Sequence, residues 1–351
     1  MSGVPNELST PTLNTGRGRG RGRRALAGAL LIALAAVTAA CGDDSSDDSE
    51  PGGSGGESAG GAITVEHARG TTTIDGPVER VVALGPADLD AALALDATVV
   101  GAASSGVGEG VPPWTAAVDG ADELTVLEVT GDASQVDLEE VAALDPDLIL
   151  AASYYDIDAA YEDLSEIAPT TAYEDGPVTD TWQQITTQVG AALGEDDAAA
   201  DLVADVEGQL AALGEENPDL DGKSFTFGFV LADEVQVLRD PDDVMMTVPS
   251  ALGLELSEPV LALPEGESFA VPVSYEQLDA LDADVLALYD AGDTTARDAL
   301  EASPLYAGLP VVERGAIVDL DGDQFFALRQ PTALSVPYAI ESVAPALAEA
   351  A

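Results

Sequence analysis

The chain has 351 residues, with 65 acids against 12 bases and a formal net charge of −53. An acidic excess of this size argues against nucleic acid or an anionic membrane surface as a partner, since both would be repelled. The acids are spread along the whole sequence, so the charge reads first as adaptation to high salt, where screening damps self-repulsion; the other reading is a ligand-repelling or cation-collecting surface.

The N-terminus is a targeting segment. Arg17 to Arg24 reads RGRGRGRR, Ala25 to Ala40 is apolar and small, and Cys41 follows. A charged region, an apolar region and small residues before a break make a signal peptide over residues 1–40. The apolar part falls short of the roughly 20 residues that span a bilayer. Thr38-Ala39-Ala40-Cys41 resembles a bacterial lipobox, with Thr38 where that motif usually carries an aliphatic residue. Cys41 is the single cysteine of the chain, and an unpaired thiol in an exported protein otherwise lacks a role. The reading is therefore lipidation at Cys41; the alternative is an ordinary signal peptide with a bystander cysteine. Residues 41–61 are acidic and rich in Gly and Ser, with no large apolar side chain. They form a tether rather than a core. The remainder is long enough for two lobes: 62–180, then a helical linker over 181–221, then 222–351.

Ile63 to Gly70 and Thr71 to Ile74 alternate about a turn, as a hairpin does. Val81 to Leu84 is a buried strand, Asp88 to Leu95 an amphipathic helix and Thr98 to Gly101 the next strand. A Gly/Pro-rich loop ends at Trp114, and Leu124 to Val129 is another apolar run. Strands alternating with short helices predict α/β lobes with mostly parallel sheets. Thr181 to Leu193 and Asp197 to Leu213 are helical; the second, 17 residues and about 25 Å long, reads as a stiff spine between the lobes. In the second lobe, strands are expected at Ser224 to Leu231, Val235 to Leu238, Val285 to Leu288 and Ala316 to Leu320. Asp323 to Arg329 reads as a loop and Ala333 to Leu347 as one closing helix.

One unit occurs twice. Leu138 to Ala151 is LEEVAALDPDLILA and Tyr275 to Leu288 is YEQLDALDADVLAL. They align without a gap and share Glu139/Glu276, Ala143/Ala280, Leu144/Leu281, Asp145/Asp282 and Asp147/Asp284. Asp137 and Ser274 stand before them as N-caps, with Glu140 and Gln277 three places on, so each copy predicts a capped helix, a turn and a strand. One unit in each half suggests two related lobes with a ligand cleft between them.

Hydrolytic and metal chemistry find little support. His67 is the single histidine, so an imidazole metal site is implausible. A serine or cysteine triad would have to use His67, and no phosphate-binding Gly-rich loop opens a helix. Paired carboxylates stay possible, because acids are everywhere.

The order of these features resembles one family. The lipobox, Pro77-Val-Glu-Arg-Val-Val-Ala83, the Leu138 to Ile149 unit, the spine helix and the Ser274-x-Glu-x-Leu unit are similar to the ferric-siderophore and cobalamin type of ABC-transporter substrate-binding lipoprotein. The resemblance covers Ala62 to Glu349. It implies two Rossmann-like lobes joined by one long α-helix, with the ligand in the cleft between them. It implies a monomeric receptor without catalytic activity or cofactor, iron entering only as a siderophore complex. It also implies a lipid anchor on the outer face of the cell membrane and delivery to an ABC permease dimer with a cytoplasmic ATPase. Glu139 and Glu276 fall where the family pairs glutamates with permease arginines. Trp114, Tyr154, Tyr155, Arg239, Phe325, Phe326 and Arg329 are the candidate ligand contacts, and Arg80 and Arg314 read as structural. Asp132-Ala133-Ser134 stands where the family places an arginine. With Arg239 and Arg329 as the cleft's cations, a hydroxamate-type or mixed ferric siderophore is expected over a triscatecholate. The alternatives are a cobalamin or haem receptor of the same fold and an exported two-lobed hydrolase.

Overall fold

A computed structural model describes residues 62–104, 110–129, 135–264 and 270–351. Cys41, the signal segment, the tether and the arginine-lacking 132–134 stretch lie outside the described residues. Among those described, no helix is long and apolar enough to cross a membrane.

Strands β1 (Ile63–His67) and β2 (Gly70–Ile74) form the expected antiparallel hairpin. The first lobe then runs β3 (Val81–Ala83), α1 (Pro86–Ala94), β4 (Val99–Ala103), α2 (Pro113–Ala116), β5 (Thr125–Leu127), α3 (Leu138–Ala143), β6 (Leu148–Leu150) and α4 (Ile157–Ile167). Its four strands lie in the order β5-β4-β3-β6, parallel throughout. The strands are short apolar runs because both faces are covered. Val81, Ala83, Leu148 and Leu150 face α1 on one side, while Val82 and Ile149 join Leu127, Ile157 and Leu164 on the other.

Helix α5 (Trp182–Leu193) starts at Thr181, whose hydroxyl and the Gln184 amide form a capping box. Helix α6 (Asp196–Glu216) is the spine, and its 21 residues exceed the expected 17. At 1.5 Å per residue it is about 31 Å long. Its buried residues Ala199, Val206 and Leu213 recur every seven positions, a single seam. Gly190 lets α5 and α6 cross closely, since a Cβ there would lie 2.3 Å from the Ala199 Cβ.

The second lobe runs β7 (Ser224–Val230), β8 (Glu234–Leu238), α7 (Thr247–Ala251), β9 (Glu255–Leu256), α8 (Glu258–Leu261), β10 (Ala270–Ser274), β11 (Val285–Tyr289), α9 (Thr294–Glu301), α10 (Pro304–Ala307), α11 (Pro310–Glu313), β12 (Ile317–Asp319), α12 (Gly322–Arg329), α13 (Ser335–Ser342) and α14 (Ala344–Ala350). The sheet order is β10-β8-β7-β11-β12, with β9 also on β7. It is mixed: β11 is parallel to β7 and β12, whereas β8 is antiparallel to β7 and β10.

Three expectations are corrected. Residues 323–329 are helix α12, not a loop; Asp321 and Gln324 cap it reciprocally, and the adjacent Phe325-Phe326 hides the helical period. The closing helix is two, breaking at Val343, because Pro345 has no N–H to continue the ladder. The repeat holds in wiring but not in its helix. Asp137 caps α3 by accepting the Glu139 N–H at 2.8 Å. Ser274 instead ends β10, paired with Glu234, and only a 3₁₀ turn over Leu278–Leu281 follows. What recurs is the turn: Asp147 accepts the Glu79 N–H at 3.0 Å and Asp284 the Ser224 N–H at 2.8 Å. An arginine also clamps each copy's carbonyls. Arg80 Nε donates to Leu144 and Asp145 at 3.0 Å, and Arg314 Nη2 to Ala283 at 2.7 Å. Both arginines are structural, as the sequence suggested.

Candidate functional site

Strand β7 reads SFTFGFV, and its period of two puts Phe225, Phe227 and Phe229 on one face. Phe225 and Phe227 are core residues; Phe229, nearest the strand end, is half-buried. Its register partner on β11 is Tyr289. The two rings stack with centroids 5.5 Å apart, the cross-strand pairing that stabilises sheets. Tyr289 also stacks on Phe325 of α12 at 4.1 Å and 11°, and Phe326 meets Phe325 edge-on at 5.1 Å. These rings border a cavity of about 440 Å³ lined by Phe227, Phe229, Gln236, Ala270, Tyr289, Ala291, Phe325 and Phe326. It sits where parallel strands β7 and β11 end, the usual place for a ligand on an α/β sheet. None of these lining side chains is charged. Its polar groups are the Gln236 amide and the Tyr289 phenol, which burial, then Asp290 and Asp321, push above its usual pKa. Without a ligand, Tyr289 is thus a neutral hydrogen-bonding group.

The structure brings Phe325 and Phe326 into this cavity. Arg329 ends the same helix one turn after Phe325, and it has interactions of its own. Arg239, at the end of β8, donates from Nε to the Leu263 carbonyl at 2.8 Å, so part of its guanidinium anchors the segment before the cavity residue Ala270. Tyr155 is 70% exposed in the loop after β6. Tyr154, its neighbour, points the other way: it is buried in the first lobe's core, and its Oη accepts the Val136 N–H at 3.3 Å. Trp114 is likewise a packing residue rather than a cavity wall. It is 6% exposed and belongs to the second lobe's core cluster, against Tyr338 at 5.3 Å. The Pro112-Pro113 context says that a turn starts there, not which side the indole takes. Glu139 and Glu276 are both exposed, Glu139 in the first turn of α3 and Glu276 two residues past the end of β10. His67 is engaged with Thr72 at 2.9 Å, and burial, then Arg69, lowers its pKa. Among the described residues no cluster of three or more His, Cys, Asp or Glu is placed to hold a metal.

Sequence reasoning missed two buried aspartates on α1. Asp88 accepts from the Ala152 N–H at 2.9 Å and the Ser153 N–H at 2.8 Å. Asp90 accepts from Trp114 Nε1 at 3.0 Å, from Thr115 Oγ at 2.6 Å and from the Thr332 hydroxyl of the second lobe. Burial raises both pKa values, that of Asp90 to about 6. The available signal was Asp-Leu-Asp inside an apolar stretch, where a carboxylate must face either water or donors.

The profile of one family, described as periplasmic binding protein, matches residues 81–324, more than half of the chain. The Fe(3+)-citrate-binding protein YfmC of Bacillus subtilis is 27% identical over 267 residues, covering 76% of this chain and 80% of that protein. The ferric enterobactin-binding periplasmic protein FepB of Escherichia coli O6:H1 is 29% identical over 289 residues, covering 78% and 87%. The crystal structure of Streptococcus pneumoniae TIGR4 PiaA in complex with ferrichrome superposes with a TM-score of 0.63 at 27% identity, covering 82% of this chain and 98% of that one.

Proposed function

The chain belongs to the periplasmic binding protein family, and we propose that it is the lipid-anchored receptor of an ABC importer, capturing a ferric siderophore outside the membrane and handing it to the permease. It is a binding protein, not an enzyme: it takes up its ligand and releases it unchanged. The observation that carries the reading is the aromatic cavity at the ends of β7 and β11, on a chain whose relatives are named for ferric citrate and ferric enterobactin and include one solved in complex with ferrichrome. A volume of about 440 Å³ suits part of a siderophore, the rest lying in the cleft towards the first lobe and Tyr155.

The lining favours a complex of low net charge. A buried anion without partners costs several kcal/mol, and the polar groups of the cavity lining are one amide and one phenol. Of the three ligands named among the relatives, ferrichrome is the uncharged one, a hydroxamate complex. Delivery uses the exposed Glu139 and Glu276, one in each lobe, against basic residues of a permease dimer. Retention at the membrane uses diacylglycerol on Cys41 after cleavage behind Ala40.

The test is a titration of purified protein in high salt with ferrichrome, ferric enterobactin, ferric citrate, cobalamin and haemin, followed by tryptophan emission. Saturable one-to-one binding of a ferric siderophore, recovered unchanged, is the expected result. Tight binding of cobalamin or haemin with none of any ferric siderophore would overturn the reading. Tight ferric enterobactin with no ferrichrome would overturn only the charge class.

A further inference from the structure

Helix α1 reads PADLDAALA, and its two acids are 0% and 2% exposed in an otherwise apolar setting. Alanine at either place would avoid the cost of burying a carboxylate. The donors each acid collects show what it holds. Asp88 takes two N–H groups and the Ser153 hydroxyl, the last at 2.7 Å, all from the two residues before Tyr154-Tyr155. That loop lies hard against the start of α1: a Cβ on Gly85 would come within 2.1 Å of Ser153 Oγ. Asp90 gathers donors from both lobes, Trp114 and Thr115 from α2 of the first and Thr332 from the second. Thr332 Oγ in turn accepts the N–H of Ser335, the first residue of α13, at 2.8 Å. Helix α13 is joined to α12 by Gln324 Nε2 on the Ser342 carbonyl at 2.9 Å. Helix α12 carries Phe325 and Phe326 of the cavity.

We propose that Asp88 and Asp90 make α1 the register element of the cleft: Asp90 fixes the second lobe against the first through Thr332, and Asp88 fixes the loop that presents Tyr155. Both are positioning residues, acting through Thr332 and Ser153 rather than on the ligand. The inference goes beyond the receptor reading and holds whichever ligand the cavity takes.

The test needs no ligand. In the full chain carrying Cys41→Ser, nitroxides on Glu123→Cys of the first lobe and Glu313→Cys of the second report the inter-lobe distance by pulsed dipolar spectroscopy. Asp90→Ala and Thr332→Ala are each expected to shift or broaden the distance distribution. Asp90→Asn and Thr332→Ser, which keep a hydrogen-bonding group in place, are expected to restore it. Far-UV circular dichroism and cooperative melting confirm folding. Asp88→Ala is expected to leave the distance alone and to speed amide exchange in residues 152–156 on the order of tenfold, the scale of one lost buried hydrogen bond. Unchanged distributions in both alanine variants would overturn the Asp90 role. Broadening in Thr332→Ala alone, with Asp90→Ala folded and unchanged, would assign the effect to the Thr332 bond with Ser335 at the start of α13 and overturn it too. If Asp90→Ala does not fold, the Thr332→Ala and Thr332→Ser pair decides. Unaltered exchange in Asp88→Ala would overturn the Asp88 half.

Discussion

Asp90→Asn should change how stability depends on pH, with a sign and size set by the buried carboxyl. In the folded chain burial lifts the Asp90 pKa from 3.8 to about 6, against the opposing donors Thr115, Thr332 and Trp114. Below about pH 3 both folded and unfolded chains hold this proton, so it contributes no difference. As pH rises, the unfolded chain ionises first while the folded chain keeps its proton, and folding loses stability until the folded group ionises as well. The gap from 3.8 to about 6, at about 1.4 kcal/mol per pH unit, makes the loss about 3 kcal/mol, half of it reached near pH 5. Asparagine cannot ionise, and every other acid titrates in both proteins and cancels in the difference. The stability of Asp90→Asn minus that of wild type should therefore climb by about 3 kcal/mol between about pH 3.5 and pH 7. Urea unfolding at fixed high salt, followed by tryptophan emission, measures it. A difference flat across that range, or one that falls, would refute the assignment of a raised, buried carboxyl.

The remaining predictions concern function. Glu139→Arg with Glu276→Arg should abolish uptake by cells and leave ligand affinity unchanged; normal uptake by the double variant removes both residues from docking. Tyr155→Ala and Arg329→Ala should each weaken ligand binding by about 1–3 kcal/mol, the scale of a lost buried partner, in the titration described above. Unchanged affinity in both would place the ligand elsewhere. Cys41→Ala should release the protein from the membrane or stall its processing, and intact mass spectrometry of membrane-associated wild type should show a lipid on sulfur; a free thiol there contradicts the anchor.

Architecture was legible where burial leaves a period, and less so where it does not. The β3 and β6 runs and the α5 and α6 helices are local patterns, and the structure has them. Helix α12 was unreadable because Phe325 and Phe326 face a cavity and its neighbour rather than one core stripe, so no amphipathic period forms. Ser274 was misplaced because cap chemistry and strand ends draw on the same residues, and pairing with β8 decided between them. The cavity was half visible. Phe325 and Phe326 come from one stretch, but Tyr289 joins them through the register of β11 on β7, which no local pattern encodes. Trp114 and Tyr154 show the converse. An aromatic after a strand is legible, but its direction depends on a distant partner, Asp90 for Trp114 and the Val136 N–H for Tyr154.

Two physical reasons point to a ligand of low net charge, and they differ in weight. One is the acidic surface, which repels anions at long range. At about 1 M salt the Debye length is about 3 Å, so a chain adapted to such salt has little reach from its −53 charge. The other is the cavity lining, whose cost for an unpartnered anion is a contact effect that salt barely screens. The salt dependence of binding separates them. Ferrichrome affinity should be nearly flat from about 0.1 M to about 1 M salt, because an uncharged ligand feels neither field nor screening. If the surface alone rejects ferric enterobactin, its affinity should rise steeply over that range as the repulsion is screened. If the lining rejects it, the affinity should stay weak throughout. The aromatic walls and the absence of a charged lining residue predict the second outcome. A steep rise to ferrichrome-like affinity at high salt would show that the cavity tolerates an anion and that the selection resides in the surface.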